Sequence, residues 1–127
     1  MSELCIWKSI ITYLKLSKLN PKRVRGVHKN PKIILGREPL QNENIYYYWV
    51  ELNDKVYSEY GVIDINIWND KYKDYNKEIG NTYGLFPNEL EQFNKPLKFM
   101  IMTIKNESDF TKKKNAIKVL EQMWSQS

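Results

Sequence analysis

Two side chains in this sequence could carry covalent chemistry, the single cysteine Cys5 and the single histidine His28. A thiol acts as a nucleophile only after losing its proton, and the positive end of a helix dipole favours that loss. Cys5 falls in the first turn of a predicted helix, and His28 is the one imidazole that could serve as its base. Cys5 also lies between Leu4 and Ile6 on an apolar face, where a free cysteine commonly packs as a small hydrophobe. His28 stands among basic residues, which fits a surface residue. One cysteine excludes an internal disulfide and any CxxC site, and one histidine removes the two-histidine metal arrangements. No metal or cofactor is expected. The chain has no Walker loop, GxGxxG, GxSxG or HExxH pattern, so common nucleotide-dependent and hydrolytic mechanisms lack support.

Binding chemistry is better represented than catalysis. The net charge of +5 is unevenly spread. Residues 1–40 hold nine Lys/Arg against two carboxylates, 41–95 hold five lysines against ten, and 96–127 hold six lysines against three. Lys22, Arg23, Arg25, Lys29, Lys32 and Arg37 form a basic run suited to phosphates, and Tyr46 and Tyr48 could stack bases if their hairpin face is open. The alternative for such a run is a solvated loop. Asp70, Asp74 and Glu78 share four-residue spacing and would make an acidic stripe on a helix, with Asp64 nearby.

These residues need elements to position them. Trp7, Ile10, Ile11 and Leu14 follow the spacing of one helical face, with Ser2 as cap and a stop before Asn20-Pro21. PKRVRGVHKNPK reads as an exposed loop, and Lys32 to Gly36 as a short buried strand. Ile45–Leu52 and Lys55–Tyr60 read as an antiparallel hairpin across Asn53-Asp54. Alternation puts Tyr46, Tyr48, Val50 and Leu52 on one face, and Ile45, Tyr47, Trp49 and Glu51 on the other. With both faces apolar, the strand should be covered on each side. Ile65 to Ile79 reads as a helix capped by Gly80, Pro87 to Phe93 as a short helical piece, and Leu97 to Ile104 as a buried strand. A last helix, capped by Ser108, carries Phe110, Ile117, Leu120 and Trp124, with Lys112, Lys113, Lys114 and Lys118 on or near its outer side. The order implies a single α+β domain over 1–127 with a mainly antiparallel sheet of about four strands. The length and the 42% apolar fraction suffice for one core.

The segment YYYWVELNDKVYSE resembles the strand pair of small papain-like and transglutaminase-like cysteine hydrolases, whose pattern is close to HxWVE, a turn, and VYD. Trp49, Val50, Glu51, Val56 and Tyr57 agree with it. The resemblance implies a helix-borne cysteine beside the pair, a place Cys5 could fill. It also puts tyrosine, Tyr47, at the histidine position and Ser58 at the acidic one. Glu59 follows one residue later, directed to the opposite face. A phenol with a pKa of about 10 cannot replace an imidazole at neutral pH.

The leading expectation is therefore a non-catalytic binding protein, accessory or inhibitory, that works through protein contacts. Size and an A/T-rich codon preference fit a viral or mobile-element origin. A nucleic-acid-binding module using Lys22 to Arg37 and the lysine-rich final helix is the alternative, and a cysteine hydrolase built on Cys5 the third. The absence of a long apolar run or signal-like start leads to an expected cytoplasmic protein without membrane attachment.

Overall fold

The computed structural model describes residues 3–29 and 44–125. Its elements are α1 (Glu3–Lys15), β1 (Lys22–Lys29), β2 (Asn44–Leu52), β3 (Lys55–Ser58), β4 (Gly61–Asp64), α2 (Ile65–Lys71), β5 (Asn76–Ile79), α3 (Pro87–Gln92), α4 (Lys95–Asn106) and α5 (Phe110–Ser125). The described strands form one antiparallel sheet in the order β4-β3-β2-β1-β5, so the α+β architecture is as expected but with five strands.

The predicted hairpin forms. Asn53 and Asp54 both take positive φ, 49° and 63°, the backbone of a two-residue turn whose twist matches the flanking strands. Alternation along β2 separates the two faces as expected. Val50 joins a core with Ile10, Leu14, Leu85, Ile101, Ile104, Ile117 and Leu120, drawn from α1, α4, α5 and the chain before α3. On the other face, Tyr47 and Trp49 pack with Val24, Val56 and Trp68 from α2.

Four element assignments need correction. PKRVRGVHKNPK contains no exposed loop at its start: Lys22–Lys29 is β1, an interior strand paired with β2 on one side and β5 on the other. Its arginines hid it, because a buried, ion-paired arginine looks polar to any pattern count. The strand expected at Lys32 to Gly36 lies outside the described residues, as do Lys32 and Arg37.

The helix expected over Ile65 to Ile79 breaks into two elements. α2 ends at Tyr72, whose N–H donates to the Trp68 carbonyl, and β5 then pairs with β1. The register sets Glu78 opposite Arg25, so an ion pair reinforces the strand. Gly80 donates its N–H to the Arg23 carbonyl and caps no helix.

Leu97 to Ile104 belongs to α4 and not to a strand. Asn94 accepts from the Leu97 N–H as N-cap, and Pro96 sits in the first turn. Leu97, Met100, Ile101 and Ile104 then face the core at helical spacing. At α5 the cap is Asp109, which accepts from the Lys112 N–H, and not Ser108.

Close packing at Gly26 yields a test of the two-faced sheet. A Cβ there would lie 2.5 and 2.7 Å from the Trp49 ring and 3.2 Å from that of Tyr75. Gly26→Ala is expected to destabilise the fold by about 1–3 kcal/mol, since Trp49 has no room to yield. Urea unfolding measures it.

Candidate binding groove

Cys5 is buried beside Tyr48 and Phe86 on the α1 face of the sheet. Burial pushes its thiol above the ordinary value, against the effect expected of a helix N-terminus. His28 lies on the other face, its ring 5.1 Å from that of Tyr75. The sheet separates thiol from imidazole, so the Cys5/His28 pairing does not form. Tyr47 donates to Glu59 Oε1 at 2.9 Å. Glu59 was expected on the opposite face, but β3 ends at Ser58 and the following turn frees it from strand alternation. Burial, then Glu59, push the Tyr47 phenol well above its usual range, so it holds its proton. Among the described residues no group of three His, Cys, Asp or Glu could hold a metal ion. Cys5 is expected to resist a thiol reagent such as DTNB in the native protein and to react fully once unfolded; rapid native reaction would contradict its burial.

Two arginines of the basic run are committed to contacts within the protein. Arg23 is 1% exposed and is committed inside the protein. It grips both Glu89 oxygens, at 2.6 and 2.8 Å, and donates through Nε to Ser9 Oγ at 2.8 Å and through Nη1 to the Gly84 carbonyl at 2.9 Å. Arg25 donates to Glu78 Oε2 and to Asn88 Oδ1, with its guanidinium over the rings of Tyr46 and Phe86. Tyr48 is buried and unavailable for base stacking. Of the expected nucleic-acid contacts whose side chains are described, Lys22 and Tyr46 are exposed. The acidic stripe does not form either: Asp70 is on α2, Asp74 in the turn after it, and Glu78 on β5, while Asp64 caps α2 through the Asn66 N–H.

A different constellation appears where the C-terminal end of α1 and the 3-10 turn Ser17–Leu19 meet α5. The groove between them encloses about 600 Å³. Leu16, Leu19, Phe110 and Ile117 supply its apolar surface, and Leu19 and Phe110 are 59% and 69% exposed. Lys15 and Lys18 stand on one wall, Lys114 and Lys118 on the other. A Lys15–Glu121 pair at 3.2 Å ties the walls together at one end. Lys113, expected on or near the outer side of α5, is buried, because it precedes Ile117 by four residues and shares its face. Its ammonium donates to Ser17 Oγ and to the Lys105 carbonyl, and desolvation, followed by Lys18 and Lys105, lowers its pKa. Sequence reasoning missed this groove, although Leu16 and Leu19 at three-residue spacing beside two lysines were its visible trace.

No family model, curated protein or solved structure matches the chain. No described helix is long and apolar enough to cross a membrane.

Proposed function

We propose that this is a non-catalytic binding protein, accessory or inhibitory, which docks a helical segment of a partner protein in the groove between the end of α1 and α5. The observation that carries this reading is an apolar floor flanked by lysines on both walls. An amphipathic helix presents a matching cross-section, an apolar stripe with charge on each flank. From Phe110 to Glu121 the α5 wall runs about 17 Å at 1.5 Å per residue, enough for anchors at i, i+3, i+4 and i+7. A single-chain fatty acid carries one charge and would leave most of the lysines unanswered.

The hairpin resemblance supports the same reading from another side. A hydrolase-like strand pair with tyrosine at the base position and the thiol sealed in the core suits a relative that kept its scaffold without the chemistry. A free, buried cysteine also suits a reducing compartment such as the cytoplasm.

The test is a helical probe of about 18 residues, long enough to hold its structure, with leucines on one stripe and glutamates on both flanks. Fluorescence anisotropy should show binding that weakens as salt rises and falls roughly tenfold or more in the Lys114→Glu/Lys118→Glu variant. The same probe with lysines on its flanks should not bind. Equal binding of both probes, no binding of either, or occupation of the groove by a fatty acid or a second copy of the chain would overturn the proposal.

A further inference from the structure

We infer a second site, separate from the groove: the cavity where the 3-10 turn Ser17–Leu19 runs into β1 takes a small phosphate monoester, its phosphoryl group held between Lys22 and Lys105. This cavity encloses about 350 Å³, and the chain after β5 and the end of α4 supply its other walls. That is room for a phosphoryl group and a small polar remainder. Two hydrogen bonds hold the walls in place before any ligand arrives. The Tyr13 hydroxyl donates to the Thr82 carbonyl at 3.1 Å, and the Gly80 N–H donates to the Arg23 carbonyl at 2.9 Å.

Charge identifies the ligand class. Among the described residues no carboxylate lines the cavity, and neither the Lys22 nor the Lys105 ammonium is in an ion pair. Arg23 also borders it, but Glu89 already answers that charge. A third cation stands behind the wall. The Lys113 ammonium, 6% exposed, donates to the Oγ of Ser17, a residue that lines the cavity, and to the Lys105 carbonyl at 3.4 Å. Desolvation, then Lys18 and Lys105, disfavour its charge, while the Glu107 that favours it accepts from the Asp109 N–H and forms no ion pair with it among the described residues. The fold thus gathers like charges around one cavity, and an anion placed there relieves them. A monocarboxylate would leave one lining lysine unanswered, whereas a phosphate dianion serves both. Asn81 contributes a donor: its Oδ1 accepts from the Tyr83 and Leu85 N–H groups, so its side chain has only amide hydrogens left to offer.

Calorimetric titration of the whole chain with glycerol 3-phosphate at about pH 7.5, where the monoester is a dianion, should show one saturable site. Inorganic phosphate should bind no more tightly, and acetate should not bind at equal ionic strength. Lys22→Gln/Lys105→Gln should weaken the monoester by about tenfold or more. Lys114→Glu/Lys118→Glu, which removes cations from the groove, should leave it unchanged. Amide NMR shifts during the titration should gather at Asn20, Lys22, Asn81 and Thr82, which locates the site without any variant. The assignment is overturned by no saturable binding up to about 10 mM, by tighter binding of inorganic phosphate or acetate, or by shifts that gather along α5 instead. Tighter binding of a single-stranded oligonucleotide through Lys22 and Lys105 would also overturn it. The helical probe and the monoester address different cavities, so the two proposals stand or fall separately.

Discussion

Glu89→Ala is expected to cost about 3–5 kcal/mol of stability, the usual result of stranding one half of a buried ion pair. The side chains of Arg23 and Glu89 are 0% and 3% exposed. With Glu89 gone, the guanidinium would keep only Ser9 Oγ, the Gly84 carbonyl and a long contact to the Ile6 carbonyl at 3.4 Å. The Phe86 N–H, which now donates to Glu89 Oε1 at 2.9 Å, would lose its acceptor as well. Since single domains have a total stability of about 5–15 kcal/mol, this one change removes a large share of it. Urea unfolding measures the loss. Replacing both partners by apolar residues, Arg23→Met with Glu89→Leu, should recover most of it, because no charge is then left buried. A Glu89→Ala protein within about 1 kcal/mol of the wild type would show that water reaches the guanidinium, against the packing of Tyr48 and Phe86 over it.

That pair also explains why the sequence was misleading where it was. In β2, Tyr47, Trp49 and Val50 announce a two-sided strand by residue type, and Asn53-Asp54 announces its turn. In β1 the strand character is divided between two kinds of residue. Val24 and Val27 are ordinary core positions, but Arg23 reaches the core only through Glu89, sixty-six residues later in the chain. No local pattern contains that partner. β5 was lost for a related reason: its pairing with β1 outweighs the helical spacing of Tyr72, Tyr75 and Ile79, and the first two rings reach the aromatic cluster by a different route. α4 was a misjudged period, with Leu97, Met100, Ile101 and Ile104 at helical spacing inside an apolar run that also reads as a strand. The groove was legible only as separate parts. Its lysines were visible on the last helix, but the leucines that complete it lie about a hundred residues earlier.

Trp49→Ala should be as damaging as the loss of Glu89, at about 3–5 kcal/mol, but by creating a cavity and not by stranding a charge. Trp49 is fully buried at the middle of the second face. Its ring centroid lies 5.2 Å from that of Trp68, 6.1 Å from Tyr47 and 6.2 Å from Tyr72. Its Nε1 donates to Glu51 Oε2 at 2.9 Å, an oxygen that also accepts from Lys77 Nζ at 2.8 Å. The ring therefore joins the hairpin to β5 through one carboxylate while filling the space above Gly26. Trp68→Phe, in the same cluster, should cost only about 1 kcal/mol or less. Among the described residues the Trp68 Nε1 is buried without a hydrogen-bond partner, so phenylalanine removes a desolvated donor while keeping most of the ring. Denaturant unfolding of the two variants distinguishes packing from hydrogen bonding as the source of order on this face. If Trp68→Phe were the costlier change, an unseen acceptor must satisfy its indole. The second face would then be a polar network and not the dry aromatic core that the absence of a side chain at Gly26 makes room for.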